Sequence, residues 1–70
     1  MTAYEILKMG GSIEFPWGYK LVGDPESGYI DLYQVLCGEN HHDGLRSLDK
    51  DGTRLAILDA KKFKQLNKES

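Results

Sequence analysis

The stretch "LRSLDKDGTRLAILD", residues Leu45 to Asp59, decides how this chain is read. Its middle, Asp49-Lys50-Asp51-Gly52, is a strong turn signal, with Gly52 suited to positive φ. Leu45–Leu48 and Thr53–Leu58 flank that turn as short apolar runs, so the segment reads as a β-hairpin. The competing reading is a helix starting near Thr53, because Leu55, Leu58, Lys62 and Leu66 also recur at helical spacing. Asp59 decides between the two. It is a good N-cap, and Ala60, Phe63, Leu66 and Asn67 beyond it make one face with lysines outside. A C-terminal helix is therefore expected over 60–68, with Lys68 suited to the negative end of its dipole.

Upstream, Tyr29 to Cys37 is the longest strand candidate. Its even positions Ile30, Leu32 and Leu36 form an apolar face broken only by Gln34, and its odd positions are Tyr29, Asp31, Tyr33, Val35 and Cys37. "GDPESG" at 23–28 is a turn, with Pro25 suited to its first central position and Gly28 to its exit. Tyr19 to Val22 reads as a strand, and Pro16-Trp17-Gly18 as the turn leading into it. Before that turn, Ile13 and Phe15 alternate with Ser12 and Glu14. The start, "TAYE" at 2–5, is a capping box in which Thr2 accepts from the Glu5 N–H. A helix over 3–9 with Gly10 as its left-handed cap follows. "GGS" at 10–12 follows a helix and precedes a strand, the reverse of a phosphate cradle, so it reads as cap and turn.

The expected fold is α+β: a small antiparallel sheet of four to five strands, with the N-terminal and C-terminal helices packed on one face. Seventy residues make a single domain, 1–70, whose folding buries only about 60% of the unfolded chain's surface. Hydrophobic residues at 40% and charged residues at 29% fit an ordinary folded domain. One cysteine removes any intramolecular disulfide and fits a reducing compartment. The start "MTAYEILKMGG" lacks the basic and apolar regions of a signal peptide. A cytoplasmic protein without a membrane span is expected. Charge is mildly polarised, with acids dominating residues 1–40 and bases dominating 41–70; this reads first as a solvated helix face, with head-to-tail self-association or a weak anion-binding end as the alternatives.

The stretch "CGENHHDG", residues 37–44, gathers the only cysteine and both histidines. Cys37, His41, His42 and Asp43 are its candidate metal ligands. Paired ligand spacing is missing, and adjacent histidines on an extended chain point to opposite sides. The stretch is read as a polar loop bracketed by Gly38 and Gly44, with a minor metal-binding role as the lesser alternative. A Cys-His nucleophile pair lacks a third group to hold the base, and neither catalytic residues nor a cofactor are expected. Aligning Gly52 to the glycine of a calcium loop puts Ser47 and Leu58 where acidic ligands belong, so that reading fails as well.

The aromatic residues carry the strongest signal. Trp17, Tyr19, Tyr29 and Tyr33 lie on or beside strands, with Asp31 between the last two. If the helices cover the even face, an aromatic patch with one carboxylate faces water, as interfaces do. The expectation is a small non-enzymatic interaction protein, acting as a stoichiometric inhibitor, adaptor or assembly subunit. Its partner is a protein or itself, as a homo-oligomer. The pattern of a short helix entering a small meander is similar to small phage and mobile-element proteins, with no motif to carry a residue across. The alternative is a small-ligand or nucleotide binder with pockets between subunits, in which Arg46, Lys50 or Arg54 contacts an anionic group. Nucleic acid is disfavoured because the aromatic half of the chain is the acidic half.

Overall fold

Thr2 opens the first helix. Its hydroxyl accepts a hydrogen bond from the Glu5 N–H at 3.2 Å, and α1 runs over Ala3–Lys8. At its end the Gly11 N–H donates to the Ile6 carbonyl and the Gly10 N–H to the Leu7 carbonyl, both at 3.0 Å. Gly10 sits at φ +82°, where a side chain is strained, so the helix closes on a Schellman motif. The structure, a computed structural model, describes residues 1–68, with side chains described as far as Leu66.

Four strands follow: β1 (Ser12–Phe15), β2 (Tyr19–Asp24), β3 (Tyr29–Leu36) and β4 (Glu39–Ser47), and α2 (Lys50–Lys68) is the last element among the described residues. The strands form one antiparallel meander in the order β1-β2-β3-β4. This is the expected α+β fold with four strands. β2 and β3 pair Leu21 with Leu32 and Gly23 with Ile30, so these residues share a face. Leu7 from α1, Tyr19, Leu21, Ile30 and Leu32 from that face, and Ala56 and Ala60 from α2 form one fully buried cluster. Both helices therefore cover the same side of the sheet, and among the described residues no second layer covers the opposite side.

Close approach fixes where each helix lies. A Cβ on Gly23 would stand 1.9 Å from the Leu7 carbonyl oxygen, so only glycine lets α1 rest directly on β2. The two alanines play the matching part under α2, letting it settle onto β2 and β3.

The segment 45–59 departs from the hairpin reading. Residues 49–52 are a helix start and not a β-turn. The Gly52 N–H donates to Asp49 Oδ1, the Thr53 N–H donates to the Asp49 carbonyl at 2.9 Å, and Ser47 Oγ donates to Asp49 Oδ2 at 3.1 Å. Asp49, not Asp59, is the N-cap. Gly52 is needed for proximity and does not take positive φ: a Cβ there would stand 1.8 Å from the Ser47 carbonyl oxygen. Thr53, Ala56 and Ala60 are buried and Ile57 is half-buried, the spacing of a helical face. Asp59 lies in mid-helix, where it pairs with Arg46 from β4. Phe63 joins the core, whereas Leu66 faces solvent. The side chains of Asn67 and Lys68 lie outside the described residues.

The polar loop at 37–44 is also corrected. Cys37 at φ +54° and Gly38 at φ +80° form a two-residue turn, with Leu36 paired to Glu39 across it. Both positive values match the primed turn that suits the strand twist. The polar residues that follow are the first half of β4, an edge strand. Its pairing slips between Leu32 and Tyr33, which face Gly44 and His42, so Asp43 is an extra, bulged residue.

Candidate protein-binding face

The uncovered side of the sheet carries the odd positions of β3, as alternation requires. Cross-strand pairing orders them into rows. One row runs Glu14, Lys20, Tyr33, His42, and the next runs Ser12, Val22, Asp31, Leu45. Tyr29 at 48% exposure and Leu45 at 46% are the large residues most open to solvent here, with Tyr33, Val22 and Val35 half-buried among their neighbours. The face is mixed: Val22, Tyr29, Tyr33, Val35 and Leu45 are interleaved with Glu14, Lys20, Asp31 and His42.

Asp31, Tyr33 and His42 form a contacting trio on it. His42 Nε2 lies 3.1 Å from Asp31 Oδ1, and the His42 ring meets Tyr33 edge-on with centroids 5.3 Å apart. The bulge at Asp43 brings His42 opposite Tyr33 and diagonal to Asp31. Lys20 lies 3.8 Å from Glu14 at the β1 side. These contacts place an aromatic ring, an imidazole and a carboxylate side by side, and tyrosine supplies contact area at a low cost in side-chain entropy.

Tyr29, Asp31 and Tyr33 stand together on this face, where the sequence put them. Trp17 and Tyr19 do not. Tyr19 alternates with Lys20 on β2 and so points into the helix-covered core, with 1% of its surface exposed. Its ring lies 5.3 Å from Phe63, and its hydroxyl donates to Asp43 Oδ2 at 2.8 Å. Burial pushes the Tyr19 phenol well above its ordinary value, and the hydrogen bond to Asp43 and that carboxylate's charge push it further the same way. Trp17 is half-buried, packs 4.9 Å from Phe15 and donates from Nε1 to the Ala60 carbonyl at 2.8 Å. Lys64 lies over its ring at 5.0 Å. Both residues fasten α2 to the sheet.

The metal candidates are dispersed. Cys37 is at the exposed turn, His41 lies 3.7 Å from Glu39, and His42 is on the open face with Asp31. Asp43 is taken by Tyr19 and by the Gln34 amide at 3.2 Å. Among the described residues no three His, Cys, Asp or Glu side chains converge as a metal site would need. Of the anion candidates, Arg46 is held by Asp59 and by the Leu45 carbonyl at 2.7 Å, while Lys50 and Arg54 are exposed on the first turns of α2. No helix among the described residues is long and apolar enough to cross a membrane.

His42, Lys20, Val22 and Leu45 belong to the face and escaped the sequence reading. The signal was the alternation Asn40, His42 and, past the bulge, Leu45 and Ser47. One inserted residue hid it on β4, whereas Lys20 and Val22 follow on β2 only once Tyr19 and Leu21 are known to face the core. Comparisons of the chain with protein-family models, with characterised proteins and with solved structures return no match.

Proposed function

We propose that the chain is a non-enzymatic interaction module that binds protein through its open sheet face. One observation carries this reading: both helices lie on the same side of the sheet, so no element among the described residues covers Tyr29, Tyr33, Val22, Val35 and Leu45. Aliphatic and tyrosine side chains interleaved with a few charged groups, with Tyr33 central and Tyr29 at the β3 end, are a composition that binding patches share. Asp31 and His42 supply a polar contact point that fixes orientation, in the way a few placed polar groups do within an apolar interface.

The reading is tested by a surface scan scored on a bound protein partner. Tyr29→Ala and Tyr33→Ala are each expected to weaken binding by tenfold or more, about 1.4 kcal/mol or above, as central tyrosines do. Leu55→Ala, on the solvent side of α2, is the control and leaves affinity unchanged. Binding that survives both tyrosine variants and falls with Leu55→Ala overturns the proposal.

A further inference from the structure

We infer that the occupant of the open face is a second copy of this chain, seated about a two-fold axis that runs parallel to the strands between β2 and β3. The inference rests on the interaction reading above and names its partner. It comes from the order of residues across one level of the sheet. Glu14 pairs with Lys20, Lys20 with Tyr33, and Tyr33 with His42, all projecting to the uncovered side. The row therefore reads acid, base, aromatic, imidazole.

Laid on its own reverse, this row is complementary at every position. Lys20 meets the partner's Tyr33, an ammonium over an aromatic ring. Glu14 meets the partner's His42. The same contacts occur twice, as an isologous interface requires. A two-fold axis along the row instead would set Glu14 on Glu14 and Lys20 on Lys20, so charge selects the first orientation. In the next row Asp31 meets the partner's Val22 and Ser12 the partner's Leu45, and the carboxylate keeps its 3.1 Å contact with its own His42 Nε2. Stacked sheets cross at about 30°, so the match is closest at Lys20 and Tyr33, beside the axis, and loosens toward the edges.

Size sets the strength. Four strands ~4.8 Å apart and about six residues long at ~3.3 Å each give a face of about 400 Å². Two such faces with their side-chain relief bury roughly 1,000 Å², below the standard interface and within the transient class. The dimer is accordingly weak, closed and concentration-dependent.

Sedimentation equilibrium of the full chain over a wide concentration series tests this, with circular dichroism to show that each variant is folded. Wild type is expected to sediment as a monomer–dimer equilibrium. Tyr33→Lys puts like charges together at the paired position and Lys20→Glu puts a carboxylate over the ring, so each alone is expected to weaken the dimer tenfold or more. Mixed together, the two variants are expected to associate again. In the mixed dimer one contact joins the two introduced charges and the other is the native Lys20–Tyr33 contact. If Tyr33→Lys does not fold, Lys20→Glu alone reads the same contact. A wild type that stays monomeric overturns the second-copy inference, while loss of a different partner with Tyr33→Ala would still uphold the face as a binding site. A dimer untouched by either variant, or variants that do not recombine, overturns the inference as well.

Discussion

Gly23 and Tyr19 sit four residues apart on the covered face of β2, and each ties a helix to the sheet by a different means. Gly23 does it by having no side chain. Gly23→Ala must lift α1 off β2, because the new carbon would overlap the Leu7 carbonyl. It is expected to cost about 1–3 kcal/mol, the range for overpacking, read as a lower midpoint in urea unfolding. Tyr19 works through its hydroxyl, which ends on the bulged Asp43. Tyr19→Phe keeps the ring against Phe63 and is expected to cost about 1 kcal/mol at neutral pH. Its pH signature is more specific. The phenol's folded value lies above its ordinary 10, so stability is complete below that pH and falls as the solution becomes more alkaline. Alkaline unfolding that begins above pH 10 should be shallower in Tyr19→Phe than in wild type. Equal slopes would show that the hydroxyl is not linked to folding.

Among the elements, α2 is the one the sequence conceals. Asp49-Lys50-Asp51-Gly52 has the residues of a hairpin turn, and Thr53, Leu55 and Ile57 alternate as a strand would. Three-dimensional packing overrides both. The aspartate side chain bonds the Gly52 N–H, and the glycine is there to clear the Ser47 carbonyl. Cap aspartate and turn aspartate look alike in one dimension, since both precede a glycine. Asp49→Ala is expected to destabilise the fold by about 1–2 kcal/mol, with the loss concentrated in α2 amides by hydrogen exchange. If the segment were a hairpin, those amides would instead exchange with the pattern of paired strands. β4 was hidden for a different reason. An edge strand buries little, so its sequence needs no apolar stripe, and the bulge at Asp43 breaks what alternation remains. By contrast α1, β2 and β3 were legible, because a capping box, paired glycines and a two-residue period all act within a few residues. The site was half legible for the same reason. Tyr29, Asp31 and Tyr33 follow from alternation within β3, whereas Tyr19 and Trp17 depend on which way β2 and the preceding turn face. Only packing decides that.

At the scale of the molecule, one covered and one uncovered sheet face account for both the stability and the proposed activity. Substitutions on the covered side should unfold the chain, and those on the open side should leave it folded and change what it binds. Tyr29→Ala is thus expected to shift the unfolding midpoint by less than about 1 kcal/mol equivalent, the size of an ordinary surface change. Residue-resolved tyrosine footprinting with hydroxyl radicals, read by mass spectrometry along a concentration series, tests this division most directly. In the dilute chain Tyr29 and Tyr33 should react while Tyr19 stays protected, and raising the concentration should protect Tyr33 and Tyr29 and leave Tyr19 unchanged. Tyr29 and Tyr33 as protected as Tyr19 in the dilute monomer, or equally reactive at every concentration, would contradict an open face that binds a second copy.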